Sequence, residues 1–256
     1  MSFSAQLRSD ADVLFDAIYH HPFVQDIAHE RLSREAIVHY VQQDVMYLNT
    51  YARVYGLGIA KADTREQMKM FHQLITVVLS GELVPHYNLC RVAGVSYEDM
   101  KQPVPVAPTA HHYMRHMLTS AYTGQLPDIV AAVLPCFWTY VDFGRRLAKD
   151  IDIANHPEHA FYDWISFYAS EEMLSGLKQL TDLLDTLMEH ANAAYRANIR
   201  AIFDDGCRME YRFFEMAYTQ ERWSPGVTAR PANGDGTGNG SGNGNGNGSG
   251  SGRASQ

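Results

Sequence analysis

The chain has 256 residues, 46% hydrophobic, 20% charged and 11% aromatic, enough apolar material for a full-sized core, so wholesale disorder is excluded. Lys and Arg total 21 against 29 for Asp and Glu, and the formal charge of -8 argues against a general nucleic-acid binder. Three cysteines, Cys90, Cys136 and Cys207, are too few and too odd for a disulfide scaffold and read as reduced thiols of a cytoplasmic protein.

The chain opens on MSFSAQLRSDADVLF, which has no basic stretch followed by an apolar one and does not read as a secretory signal. Ser33 is placed to N-cap a long helix, REAIVHYVQQDVMYLNTYARVYGLGIAKA, whose apolar residues recur at three and four. Thr64 and Gln67 form a capping-box pattern ahead of a second helical stretch, which Pro85 should kink or split and Gly94 should end. Lys101–Pro108 carries three prolines and reads as a loop, after which Thr109 caps a helix that Gly124 closes. Pro127 opens DIVAAVLPCFWTYVDFGRRLAKDI, which Pro135 should interrupt one residue before Cys136. His156-Pro157 marks a turn, FYDWISFYASEEMLSGLKQLTDLLDTLMEHA follows as one or two helices, and AAYRANIRAIFDDGCRMEYRFFEMAY closes the series with a break expected at Gly206.

Nothing alternates with period two, and no apolar run reaches the roughly 18–20 residues that span a bilayer. The sum is about seven or eight helices, an all-α, compact multi-helix bundle over residues 1–223. Residues 224–256, dominated by Gly, Asn and Ser, cannot bury enough apolar area to order themselves and read as a disordered tail.

Four features carry potential chemistry. Tyr40, Asp44, Tyr47 and Tyr51 share one helix face, either as a half-exposed boundary or as a polar aromatic pocket in which Asp44 accepts hydrogen bonds from an amino-bearing ligand. Cys136 follows a proline within LPCFWTY, with Tyr140 one turn on, and is either a small buried hydrophobe or a nucleophile. Glu210 stands among Met209, Tyr211, Phe213 and Phe214, on a solvated face or in a pocket that raises its pKa, with Glu215 the nearby competitor. Glu82 and His86 are an i,i+4 pair, and His111, His112 and His116 crowd another helix, yet no Glu-x-x-His or His-Glu-x-x-His occurs, so no metal is expected. Phosphate loops, GxGxxG, Cys-x-x-Cys and GxSxG are all absent.

In order and context, YVQQDVMYL, TAHHYMRHML, LPCFWTY, FYDWISFYASEE and MEYRFFEMAYTQERWS resemble the TenA/thiaminase II family, across about Ser4 to Ser224. The cysteine in LPCFWTY is similar to the cysteine-containing branch. The resemblance implies a haem-oxygenase-like fold, a homotetramer, no cofactor, and no nucleic-acid or membrane partner. It also implies hydrolysis of 4-amino-5-aminomethyl-2-methylpyrimidine to 4-amino-5-hydroxymethyl-2-methylpyrimidine and ammonia in thiamin salvage, with thiamin as an alternative substrate. Cys136 would be the nucleophile that adds to the pyrimidine. Glu210 would protonate the leaving amine and then activate water. Asp44 would hold the ring nitrogen and exocyclic amine, with Tyr47, Tyr113, Tyr140, Tyr168 and Phe213 lining the pocket. Glu82 and His86 look like a family feature without an assigned role, and Phe214 and Met173 stand where Trp and Phe are expected.

One physical constraint applies to that chemistry. Nearby carboxylates raise a thiol's pKa, so Cys136 beside an ionised Glu210 is no standing thiolate; the expectation is a Glu210 protonated by burial and attack coupled to proton movement. Two rivals keep the fold: a di-iron oxygenase, which needs converging Glu, His and Asp, and a non-catalytic pyrimidine or thiamin binder.

Overall fold

In the computed structural model, three short helices that the patterns above do not single out open the chain: α1 (Phe3–Asp10), α2 (Asp12–Tyr19) and α3 (Pro22–Ala28). Each is about two turns, too short for periodicity to declare itself, and α1 and α3 are set by local devices. The Ser2 hydroxyl accepts from Ala5 N–H, and His21 Nδ1 accepts from Phe23 N–H with Pro22 in the first turn. Their buried Leu7, Phe15, Ile18, Phe23 and Ile27 dock against the later helices.

Helix α4 (Arg34–Lys61) starts as expected, with Ser33 accepting from Ala36 N–H, Glu35 in its first turn and Lys61 in its last. Helix α5 (Arg65–Thr76) carries the reciprocal Thr64–Gln67 capping box. The break that was expected at Pro85 falls earlier. A π-helical turn, Val77–Gly81, ends α5, and α6 (Leu83–Ala93) begins after Glu82. Pro85 therefore lies in the first turn of α6, where its missing N–H is no loss. Gly94 ends α6 in the left-handed region, φ +64°.

A single-turn helix, α7 (Tyr97–Met100), precedes the proline loop. Helix α8 (Pro108–Thr123) starts one residue before the expected cap: Ala107 is the N-cap, Pro108 the first residue, and Thr109 N–H instead donates to the Glu221 carboxylate at 2.9 Å. Helix α9 (Leu126–Asp150) runs unbroken through Pro135, against expectation. The reason lies on α12 (Ala193–Thr219), also continuous where a break was expected. A Cβ at Gly206 would sit 2.5 Å from Pro135 Cγ, so the glycine admits the proline ring between two packed helices and is no terminator. A 3₁₀ turn (Ile153–Asn155), α10 (Tyr162–Ala169) and α11 (Glu171–Met188) lie between α9 and α12.

The long helices α4, α9 and α12 form the centre, with α6, α8, α10 and α11 packed around them. Asp128 ties two of them together by accepting from Gln125 N–H, Tyr195 and Asn198. By length and composition α9 is apolar enough to cross a membrane, but 83% of its most apolar window is buried inside the fold, where that apolarity forms the core. The structure describes residues 1–224, with no β-strand among them. Met1–Arg222 form one unit and Trp223–Gln256 the other, and the expected disordered tail lies, from Pro225 on, outside the described residues.

Candidate active site

The shared face of α4 points inward. Tyr40, Asp44, Tyr47 and Tyr51 are all buried, which overturns the half-exposed boundary, and Asp44 and Tyr51 line a cavity. Each group has a defined neighbour. Tyr40 and Tyr140 share a hydrogen bond between hydroxyls, 2.5 Å. Tyr51 donates to the Val133 carbonyl at 2.7 Å, close to the proline on α9. His86 Nε2 lies 2.8 Å from Asp44 Oδ2, and because a carboxylate has no proton to give, the imidazole N–H is the donor.

Several of these residues line a half-enclosed cavity of about 30 Å³. Asp44, Leu48 and Tyr51 of α4, Val77 and Val78 of the π turn, Glu82, and Cys136, Phe137 and Tyr140 of α9 line it, with Tyr168 and Met173 closing it. Free space of that size is about one water's share of the liquid, so a ring-bearing ligand enters only as wall side chains give way. Tyr168 is brought in by a close approach of α10 to α9: a Cβ at Gly144 would lie 2.7 Å from Tyr168 Cβ. Its hydroxyl donates to Glu82 Oε2 at 2.6 Å. A larger surface groove of about 830 Å³ runs between α1, α9 and α11, and none of the candidate site residues lines it.

Tyr47, Tyr113, Phe213 and Glu210 are not part of the cavity wall. They form a second group that meets the cavity at Cys136. The Tyr47 ring packs 5.0 Å from Tyr113 and 5.3 Å from Phe213. The Tyr47 and Tyr113 hydroxyls are fully buried and make no hydrogen bond of good geometry, although Tyr47 neighbours the Cys136 thiol and Tyr113 the Glu210 carboxyl. Glu210 is 2% exposed, whereas its competitor Glu215 has a half-exposed side chain and pairs with His21 at 3.0 Å. Phe214 is buried against Tyr140, Phe143 and Phe23, behind the cavity wall.

The electrostatics are those of acids crowded away from water. Loss of hydration pushes Glu210 up to about 8, and Asp44 adds to the rise. Glu82 is pushed up to about 7 by the same main cause, with the Tyr168 hydrogen bond opposing it. Burial, and then Glu210, hold the Cys136 thiol well above its ordinary range. At neutral pH the site therefore holds a neutral thiol beside a largely protonated Glu210.

Among the described residues no group of three His, Cys, Asp or Glu is placed to hold a metal ion. His111 and His112 are exposed, and His116 bonds the Ile202 carbonyl of α12, well apart from His86 in role and partner. Sequence reasoning noticed Glu82 and His86 only as a pair. Their partners, Tyr168 and Asp44, lie 86 and 42 residues away, a separation that no local pattern encodes.

Comparison with known proteins agrees with this architecture. An aminopyrimidine aminohydrolase of Halalkalibacterium halodurans is 34% identical over 88% of this chain and 99% of its own length. A TenA homologue protein from P. horikoshii superposes with a TM-score of 0.74 at 26% identity, covering 86% of this chain and 99% of its own. A Synechocystis haem oxygenase-1 superposes with a TM-score of 0.52 at 14% identity over 86% of this chain and 94% of its own, a likeness of fold alone. The family described as TENA/THI-4/PQQC matches residues 8–220, and this chain belongs to it.

Proposed function

We propose that the protein is an aminopyrimidine aminohydrolase that converts 4-amino-5-aminomethyl-2-methylpyrimidine and water to 4-amino-5-hydroxymethyl-2-methylpyrimidine and ammonia, in thiamin salvage. The observation that carries the reading is a thiol, Cys136, on the wall of a half-enclosed cavity lined by aromatic rings, with Asp44 and a buried Glu210 acting on it. The name of the H. halodurans relative supports it.

In this reading Asp44, held by His86, accepts from the exocyclic amine and faces the ring nitrogen. Tyr140, Tyr168 and Met173 close over the ring. The sulfur of Cys136 bonds to a ring carbon as its proton passes to a ring nitrogen, so no free thiolate is formed. The electron pair gained by the ring then expels the amine as ammonia, its C–N bond breaking with the nitrogen protonated, by Glu210 where the amine has bound neutral. The base this leaves, ionised Glu210 or the ammonia itself, takes a proton from water while the hydroxide adds to the methylene. Loss of the ring proton and of sulfur restores the aromatic ring and the thiol. Tyr47 and Tyr113 offer their unpaired hydroxyls to this proton traffic at Cys136 and Glu210, and Phe213 backs Tyr47. Thiamin, with its bulkier leaving group, is a second substrate in this proposal.

We place the enzyme in the cytoplasm as a homotetramer. Its free thiols fit a reducing compartment, and exposed Leu79, Val84 and Tyr87 form the kind of apolar surface that another copy would cover. The test is ammonia release from the aminomethylpyrimidine by the intact protein and by Cys136→Ala. Turnover lost in the variant supports reaction and nucleophile together. No turnover by the intact protein, on this substrate or on thiamin, would sink the reading.

A further inference from the structure

The mechanism above leaves one cavity-facing acid unused. Glu82 follows the π turn and lines the same cavity as Cys136 and Asp44. Its Oε2 accepts the Tyr168 hydroxyl. Asp44 has a close hydrogen-bond partner in His86, whereas no Lys, Arg or His nitrogen lies within 4.0 Å of a Glu82 oxygen among the described residues, and His86 acts on Glu82 only from a longer range. A carboxylate shielded from water with one neutral donor is short of a counter-charge, and a ligand that enters with one supplies it.

We infer that Glu82, oriented by Tyr168, is the subsite for the departing nitrogen, and that it selects substrates whose leaving group is a positively charged primary amine. The inference rests on the aminohydrolase reading and adds a substrate class to it. At the moment of C–N cleavage the nitrogen carries a positive charge, whichever group delivered the proton. Glu82 faces the cavity where that charge sits, and an anion there stabilises it in the bound amine and as the C–N bond breaks. An amine also offers N–H donors that a carboxylate accepts in charge-assisted hydrogen bonds. A formylated amine is neutral, and the thiazolium of thiamin is cationic but has no N–H to give.

The π turn has a part in this. Gly81 precedes Glu82, and Glu82 N–H bonds Val77 O across five residues at 3.0 Å. The wider turn carries Val77, Val78 and Glu82 to one wall of the cavity. Such turns commonly mark functional sites in helices.

The test separates binding from turnover. Affinities are measured by calorimetry near pH 8, where an alkylamine is protonated and Glu82 is ionised. The two probes are 4-amino-5-aminomethyl-2-methylpyrimidine and its neutral hydroxymethyl counterpart, on Cys136→Ser protein so that nothing turns over. The amine should bind about tenfold or more tightly than the alcohol, the order of one charge-assisted contact. Adding Glu82→Gln, which keeps an acceptor for Tyr168, should bring the ratio to within about threefold, with affinity for the alcohol nearly unchanged. Equal binding of the two probes by the Cys136→Ser protein overturns the inference. So does a ratio that survives Glu82→Gln but collapses in Glu210→Gln or Asp44→Asn, which would give the nitrogen to one of those acids. Preference for the amine without any turnover by the cysteine-bearing protein would sink the aminohydrolase reading and leave the Glu82 subsite standing.

Discussion

Replacing Glu210 with Gln tests the protonation state on which the chemistry depends. The buried carboxyl has a pKa of about 8 against an ordinary 4.5, with loss of hydration the first cause. An acid raised in this way holds its proton more tightly in the folded chain than in the unfolded one. Its contribution to stability is thus complete below about pH 4.5 and is lost as pH rises toward 8, the reverse of a carboxylate in a salt bridge. Within that window the unfolded side chain is ionised and the folded one is not, so stability falls by about 1.4 kcal/mol per pH unit. From about pH 6 to about pH 8 the loss from this one group comes to about 2 kcal/mol, or roughly 4–8 °C in Tm for a chain of this size. Gln has nearly the same shape and no proton to lose. Urea or thermal unfolding of both proteins across this range should show Glu210→Gln gaining about 2 kcal/mol on the natural chain as pH rises. A constant offset between the two would show that Glu210 ionises like an exposed carboxylate, and it would remove the neutral acid from the mechanism. In the same variant kcat should fall by about 10²–10⁴, the usual worth of a general acid–base, with KM little changed.

Further substitutions follow from the geometry. Phe in place of His86 leaves Asp44 buried without its donor; stability should drop by about 1–3 kcal/mol and KM for the pyrimidine should rise, with partial rescue by His86→Gln. Gly206→Ala drives a methyl to 2.5 Å from Pro135 Cγ and should cost about 1–3 kcal/mol in urea unfolding, whereas Gly56→Ala, with open space around the new methyl, should stabilise by about 0.5–1 kcal/mol. Met173→Ala widens the cavity wall and should raise kcat/KM for thiamin relative to the aminomethylpyrimidine.

What could be read in advance follows from the range of the interactions involved. The i,i+3 and i,i+4 spacing of Tyr40, Asp44, Tyr47 and Tyr51 is a local property of one helix, and it survives intact in the fold. The capping signals at Ser33 and Thr64 act over three residues and are equally legible. Pro135 and Gly206 mislead because a helix breaker and a helix-contact residue are the same letters. Only the packing of α12 on α9 tells which they are, and that contact joins residues far apart in sequence. The π turn has no composition of its own, so the wall it carries to the cavity is invisible beforehand.

The two glutamates show what that invisibility hides. In the sequence, Glu82 and Glu210 are both acids among apolar residues, and burial raises both. Their neighbours divide the labour between them. Glu210 shares its enclosure with the Cys136 thiol and the Tyr113 phenol, groups that hold protons, so it is suited to pass one along. Glu82 opens on the cavity with Tyr168 as its hydrogen-bond partner and no Lys, Arg or His nitrogen within 4.0 Å among the described residues, so it is suited to balance a charge that arrives with the ligand. At neutral pH Glu210 is largely protonated, whereas Glu82 stands near its midpoint and ionises the more readily when a cation is present at the methylene nitrogen, because that charge offsets the lost hydration that had raised its pKa. The negative charge of the site therefore grows where positive charge is present, most of all as the C–N bond breaks. That is the difference between ground state and transition state from which a rate enhancement comes.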